Sequence, residues 1–232
     1  MDLTKFADDY WSGKDDRADG DRLRYLCSFA PESGSFLVVD GGPGMLVETL
    51  HSLGRSDVQL TDLSTVAVRR AEAKGIPVTQ VDTDDDPLPF KNDQFDCVIS
   101  DSALEHRYYP EKGLAECARV LKQDGTLLLL LPNIAHWRHR LQLFTGRLPP
   151  VVGGPTDRCH LRYFALPEMR QMAKAAGLEV EKVRGFASLW VKGLYPRVFR
   201  AFPLKQIYPW LVRLRPTLFG RDLILVCSKR KG

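Results

Sequence analysis

The chain has 232 residues, 44% of them hydrophobic and 27% charged, which suits one elaborated globular domain with a sizeable core and excludes a disordered or fibrous chain. No apolar run approaches the length of a membrane span, and the acidic, polar opening residues Met1–Asp9 do not read as a secretory leader. The net charge of +4 is uneven: residues 184–232 hold eleven Lys/Arg against one acid, Asp222, a segment charge of +10, so residues 1–183 sum to −6.

In chain order, residues 2–11 predict a short helix and 19–29 a second, stopped by Pro31 and Gly34. Residues 36–40 predict a buried strand that ends on Asp40 and runs into the turn Gly41-Gly42-Pro43-Gly44. Leu46, Leu50 and Leu53 keep helical spacing up to Gly54. A strand follows at 58–61 with Asp62 at its end. Ser64 is a good N-cap for a helix through Lys74, with Gly75 beyond it. A short strand at 77–81 leads to the acidic loop Asp82–Asp86, and 95–100 predicts a fourth strand. Leu114, Cys117, Ala118 and Leu121 mark one helix face, and 127–131 is a wholly apolar strand before Pro132-Asn133. Residues 135–145 predict a helix, 148–157 a Pro/Gly-rich loop, 167–176 a helix, and 178–183 and 223–227 the last strands. Strands that alternate with helices and are continuously apolar predict a parallel sheet covered on both faces. Ligands of such sheets bind beyond the strands' C-terminal ends, where Asp40, Asp62, Asp82, Ser100 and Asn133 fall.

Asp40 and Asp62 stand 22 residues apart, with a glycine turn and a helix between them. An acid after the second strand accepts the hydroxyl protons of a ribose. The turn reads Asp-x-Gly-x-Gly, with no further glycine before Gly54, and an acid at this edge disfavours a pyrophosphate and suits a ligand carrying an ammonium group. In Val38–Gly44, Leu60–Ser64, Leu88–Phe90, Phe95–Ser100, Leu104–His106 and Ala118–Leu127, over about residues 35–135, the chain resembles the class I S-adenosylmethionine-dependent methyltransferases. In Pro132–Arg147 and His160–Phe164 it looks like their MetW-like and type 11 small-molecule and glycan-modifying members. Two departures stand out: Leu46 replaces a third glycine and Pro43 a small residue.

The resemblance implies an α/β, Rossmann-like, seven-stranded, mostly parallel sheet with helices on both faces, an insert after the fifth strand and an elaborated C-terminal region. It implies one domain: N-terminal helices over 1–30, a cofactor-binding core over 35–133, an acceptor-covering insert over 134–163 and a basic, aromatic elaboration over 186–221. S-adenosylmethionine would be the cofactor. Asp40, Gly42 and Gly44 would surround its methionine part, Asp62 would take the ribose and Leu63 would lie on the adenine. Asp82 and Thr83 would bracket the adenine edge, Ser100 would offer its backbone near the amine, and Tyr10 or Trp11 would fold over as a lid. The implied activity is methyl transfer to a small-molecule acceptor, with a hydroxyl favoured. The alternative is a non-catalytic S-adenosylmethionine-binding regulator or partner subunit, which Leu46 and Pro43 motivate.

A hydroxyl acceptor benefits from a base. His160, in the insert, is the first candidate, with a loop-carbonyl partner as the competing role; His106 is the second, against a role as pocket wall. His136 and His139, beside Arg138 and Arg140, read as a solvated face. No metal is expected: Cys159-His160 lacks a second ligand pair, and Asp82, Asp84, Asp85 and Asp86 read as a solvated loop. The five cysteines form no CxxC pair and fit a reducing, cytoplasmic compartment. Trp190, Tyr195, Phe199, Phe202, Tyr208, Trp210 and Phe219 interleave with basic residues. That mix suits a lid or homodimer face, peripheral membrane contact with an anionic, lipid- or glycan-linked acceptor, or, less well, nucleic acid.

Overall fold

The structure, a computed structural model, describes residues 2–14, 19–150, 155–187 and 202–230, with the side chains of 202–206 left aside. Trp190, Tyr195 and Phe199 of the aromatic tail lie outside the described residues. A seven-stranded sheet runs in the order β3-β2-β1-β4-β5-β7-β6. Its strands are β1 (Phe36–Val39), β2 (Val58–Asp62), β3 (Val78–Gln80), β4 (Phe95–Asp101), β5 (Leu121–Pro132), β6 (Leu178–Phe186) and β7 (Asp222–Lys229). The pairs from β3 to β5 are parallel, and β7 alone is reversed, pairing antiparallel with β5 and β6. β1 sits between β2 and β4, so its C-terminal turn is flanked by two other strand ends.

Nine helices pack around the sheet among the described residues: α1 (Leu3–Ser12), α2 (Gly20–Cys27), α3 (Met45–Ser52), α4 (Thr65–Ala73), α5 (Pro110–Val120), α6 (Trp137–Phe144), α7 (Leu166–Ala175), α8 (Phe202–Leu214) and α9 (Pro216–Phe219). The continuous apolar runs are explained by burial on both faces. Phe36 and Val38 feed one core layer with residues of α2 and α3; Leu37 and Val39 feed the other with residues of α5 and α7. Adjacent strand residues point to opposite faces, so each strand must be apolar throughout. Leu46, which stands where a third glycine was expected, is buried in the first of these layers.

Two elements differ from expectation. Residues 121–126 extend β5 backwards through a register irregularity, with Phe95 opposite Leu121 but Cys97 opposite Thr126, which accommodates the Lys122–Gly125 turn. Residues 202–219, read only as an aromatic elaboration, form α8 and α9 and pack on β6. A Cβ at Gly185 would come within 2.7 Å of Val212 and 3.2 Å of the Gly220 Cα.

Candidate active site

At the C-terminal edge of the sheet a cavity of about 330 Å³ opens beside the ends of β1, β2, β4 and β5. Two residues at that edge adopt left-handed backbone, Asp40 after β1 and Ser102 after β4, each with φ 54°. Non-glycine residues hold such angles at a cost that the surroundings must offset. Glycine serves the turn itself: Gly42 (φ 59°) lies against the Trp11 ring, which a Cβ there would meet at 2.3 Å, and Gly44 (φ 89°) caps α3.

Asp62 lines the cavity and is buried at the end of β2. Its carboxyl accepts the Gly42 N–H at 2.7 Å and the Ser64 N–H at 2.8 Å. Burial, followed by the charge of Asp40, pushes its pKa up to about 7 against those two bonds. Asp40 also lines the cavity, yet it is not a free carboxylate. The Arg107 fork holds both its oxygens, through Nε at 3.0 Å and through a close Nη2 contact, while Nη1 reaches Asp82 at 2.8 Å. Burial works against the Arg107 charge, and Asp40 and Asp82 outweigh it, so its pKa stays above the ordinary value. Arg22 grips Asp101 in the same two-pronged way, at 2.7 and 2.9 Å. Such forks fix a guanidinium in one plane as well as pairing its charge.

The other side of the cavity is built by the 3₁₀ turn Leu104–His106 and the returning segment 155–162. The N–H groups of Leu161 and Arg162 donate to the Glu105 carbonyl at 2.8 and 3.1 Å, which lays the segment on the turn. His106 and His160 meet edge to face at 4.9 Å, and the Tyr10 ring stands 5.8 Å from His106. His106 Nδ1 is 3.0 Å from the Cys159 carbonyl and His160 Nδ1 is 3.1 Å from the Pro155 carbonyl. Each carbonyl selects the Nδ1–H tautomer and leaves Nε2 as a lone-pair acceptor. Burial, then the neighbouring His160, lowers the His106 pKa to about 4; burial lowers that of His160 as well. Both rings are therefore neutral, proton-accepting groups at neutral pH. Glu105 is fully buried, neither of its carboxyl oxygens has a hydrogen-bond partner among the described residues, and Oε1 is 4.0 Å from His160 Nε2. Burial pushes its pKa up to about 8. A donor atom of Cys159 joins those of His106 and His160 within 4.8 Å.

Of the residues expected at the site, Asp40, Asp62, Leu63, Tyr10, His106 and His160 come together around the cavity. Others do not line it, for local reasons. Ser100 lies inside β4, in register with Val39 and Leu129, so the lining there begins at Asp101. Gly42 is covered by Trp11, and a Cβ on Gly44 would face Ile76. Asp82 is turned to Arg107, and Thr83 is buried beside Gly113 of α5. Asp84 is also buried rather than solvated: it accepts the N–H groups of Tyr108 and Tyr109, each at 2.9 Å, where α5 begins. His136 and His139 are buried too, against the expectation of a solvated face. His136 Nδ1 accepts the Arg138 N–H at the start of α6, and its Nε2 lies 3.1 Å from the Tyr208 hydroxyl. Glu105, Arg107 and Arg22 were not anticipated. Glu105 carried a local signal, an acid between Leu104 and His106 just past a strand end, whereas the two arginines are recruited by folding.

The residues present fit a zwitterionic nucleoside. Asp62 keeps acceptor capacity for ribose hydroxyls after its two N–H bonds, and the lining mixes carboxylates, guanidinium groups and the rings of Phe6, Tyr10 and Trp11. The family model for a methyltransferase domain matches residues 37–129. The chain is 32% identical over 143 residues to the ubiquinone/menaquinone biosynthesis C-methyltransferase UbiE of Nitrosospira multiformis, covering 54% of this chain and 58% of the relative. It is 33% identical to 2-methyl-6-phytyl-1,4-hydroquinone methyltransferase 1 of Oryza sativa, over 68% of this chain and 45% of the relative. The chain thus spans about half the length of these curated relatives. Among solved structures it is similar in fold to a putative methyltransferase in complex with the Trm112 activator of Haloferax volcanii. There the TM-score is 0.67 and the identity 22%, over 99% of this chain and 98% of the other. The CcbJ methyltransferase of Streptomyces caelestis gives a TM-score of 0.66 at 14% identity, covering 100% of both chains.

Proposed function

We propose that the chain, whose residues 37–129 match the family model for a methyltransferase domain, is a class I S-adenosylmethionine-dependent methyltransferase that methylates a hydroxyl of a small-molecule acceptor. The observation that carries this reading is the pairing of Asp62, a buried carboxyl at the ribose position, with two neutral imidazoles at another wall of one cavity. S-adenosylmethionine, when bound, supplies a methyl group on a sulfonium, a good leaving group. Asp62 would hold the ribose hydroxyls, Leu63 the adenine face, and Asp101–Ala103 with the glycine turn the amino-acid part. Helix α1 contributes Leu3, Phe6, Ala7, Tyr10 and Trp11 to the lining and would shield a bound ligand from water there.

The remaining work is to orient the acceptor and take its proton. His160 Nε2 would accept the hydroxyl proton, its tautomer set by the Pro155 carbonyl, and Glu105 stands 4.0 Å away where the imidazolium charge would appear. His106 walls the same space. Residues 155–163 of the insert, which bring Asp157 and His160 to the cavity, would cover the acceptor. The curated relatives' names concern quinones, hydroquinones and an acyl-carrier protein, which supports a small acceptor handled away from bulk water. The five cysteines are free and buried, which fits a reducing cytoplasm.

Calorimetry with S-adenosylhomocysteine tests the cofactor. Asp62→Ala should weaken binding about 100-fold, since it strands the ribose hydroxyls and the Gly42 and Ser64 N–H groups. No binding by the unmodified chain overturns the reading. His160→Ala should cut turnover on an accepted substrate by roughly 100-fold or more while leaving S-adenosylhomocysteine affinity in place. A second reading, a non-catalytic cofactor-binding subunit, draws on Asp40 being fully engaged by Arg107. Binding without methylation of any acceptor in a broad metabolite extract would favour it.

A further inference from the structure

Beside the cavity lies a surface whose composition the methyl-transfer site does not use. β5 ends at Pro132, which lines the cavity, and α6 starts at Trp137. Past its buried start, α6 turns outward: Leu141 is 56% exposed, Leu143 52% and Phe144 90%, and Leu148 beyond it is also exposed. Helix α8 is two-sided. Tyr208 and Val212 are buried one turn apart, while Ile207, Trp210 and Leu214, spaced to share the opposite face, are exposed. The two helices belong to one surface region, pinned together where His136 Nε2 meets the Tyr208 hydroxyl at 3.1 Å. Asn133 Nδ2 also donates to the carbonyls of Thr217 and Gly220.

The charge on this region has one sign. Residues 125–156 contain no Asp or Glu, and neither do residues 182–221. Arg138, Arg140 and Arg147 belong to the first stretch, and Arg213 and Arg215 follow the exposed face of α8 in the second. Exposed aliphatic and aromatic side chains on stretches that carry arginines and no acid match the interface of an anionic bilayer: the apolar groups enter the headgroup boundary and the guanidinium groups meet phosphates. A second copy of the chain fits poorly, because a two-fold contact would set the same arginines against each other. RNA fits less well, because five of the seven exposed apolar side chains, Leu141, Leu143, Leu148, Ile207 and Leu214, offer no ring on which a base could stack, leaving only Phe144 and Trp210.

We propose that α6 and the outer face of α8 form a docking surface for an anionic membrane. It would bring the cavity to a membrane-resident or lipid-linked acceptor; that last clause rests on the methyl-transfer reading, the docking itself does not. Vesicle flotation with the full chain tests it, using phosphatidylcholine alone and phosphatidylcholine mixed with phosphatidylglycerol. Binding should require the anionic lipid and fall steeply with salt. Arg140→Gln and Arg147→Gln should each weaken it about fivefold, and Phe144→Glu with Trp210→Glu should lose it by more than tenfold. All four positions are exposed, so circular dichroism and S-adenosylhomocysteine affinity should stay as in the parent chain, which separates failure here from failure of the cofactor reading. No flotation with anionic vesicles at low salt overturns the proposal. So does a dimer in vesicle-free solution that Phe144→Glu converts to monomer, or RNA binding that the same substitution removes.

Discussion

Glu105 and His106 are neighbours that bias stability in opposite directions with pH. Burial gives Glu105 a folded pKa of about 8 against an ordinary 4.5, so between those values the native state keeps a proton that the unfolded chain has released, and stability falls as pH rises. Burial gives His106 a folded value of about 4 against 6.5, so below 6.5 the unfolded chain takes up a proton the native state refuses, and stability falls as pH drops. His136, also lowered to about 4, acts like His106, and Asp62, raised to about 7, acts like Glu105. The two acids and the two histidines nearly cancel between about pH 4.5 and 6.5, so stability should be flat there and fall above about pH 6.5, where only Glu105 and Asp62 still act. Glu105→Gln is nearly isosteric and cannot ionise, so it should flatten the alkaline limb, leaving only the part due to Asp62. At pH 8.5 it should raise stability by on the order of 2–4 kcal/mol. Denaturant titrations of both chains from pH 5 to 9 measure this, and parallel alkaline limbs would show that Glu105 is ionised in the folded state.

At the scale of elements, α1 decides whether the cavity is closed. It presents Leu3, Phe6, Ala7 and Tyr10, spaced i, i+3, i+4 and i+7, to the lining, and it is held from outside the cavity. Asp8 Oδ1 accepts the Ser64 hydroxyl at 2.6 Å and the Val66 N–H at 3.2 Å, at the N-terminus of α4, and the Trp11 carbonyl accepts Arg70 Nη1 at 2.8 Å. A carboxylate at a helix N-terminus is favoured by the orphan N–H groups and by the dipole. Asp8→Ala should release α1 and weaken S-adenosylhomocysteine binding about tenfold, losing on the order of 1–2 kcal/mol, with little change in the melting of the sheet. Calorimetry and circular-dichroism melts check both halves, and full affinity in Asp8→Ala would mean that α1 does not cover the ligand. The spacing that reveals α1 is local, and so are the signals that reveal β1, α3, β2 and α4. Helix α8 was hidden because Pro209 interrupts it and its outer face is apolar where a surface helix would be polar. The site divides the same way. Acids at strand ends are visible because a strand and its turn are adjacent in sequence. Arg107 reaches Asp40 across 67 positions and Arg22 reaches Asp101 across 79, pairings that only the strand order creates.

Across the whole molecule, one sheet supplies both core layers, since alternate residues of β1, β4 and β5 feed one or the other. Both layers rest on the same strands, so the sheet and the helices that pack into those two layers should melt as one unit. The cavity sits on that sheet's edge, lined by residues at the ends of β1, β2, β4 and β5 and closed by α1, so a ligand there binds only the folded arrangement. Linkage then makes ligand binding a stability measurement: at about 100 times its dissociation constant, S-adenosylhomocysteine adds about 2.7 kcal/mol. For a chain of this size that should raise Tm by roughly 5–10 °C. Asp62→Ala should lose the shift at the same ligand concentration, whereas Phe144→Glu, at an exposed position outside the cavity lining, should keep it. In a variant with Trp137, Trp190 and Trp210 replaced by Phe, Trp11 makes the experiment internally controlled, because its ring lies on Gly42 and reports α1. Without ligand its fluorescence should change below the main transition, as α1 is held by a few hydrogen bonds while the core is buried. With ligand the two transitions should merge, because the bound molecule would be enclosed between α1 and the glycine turn. If fluorescence and circular dichroism stay separate under saturating ligand, α1 is not part of the binding site.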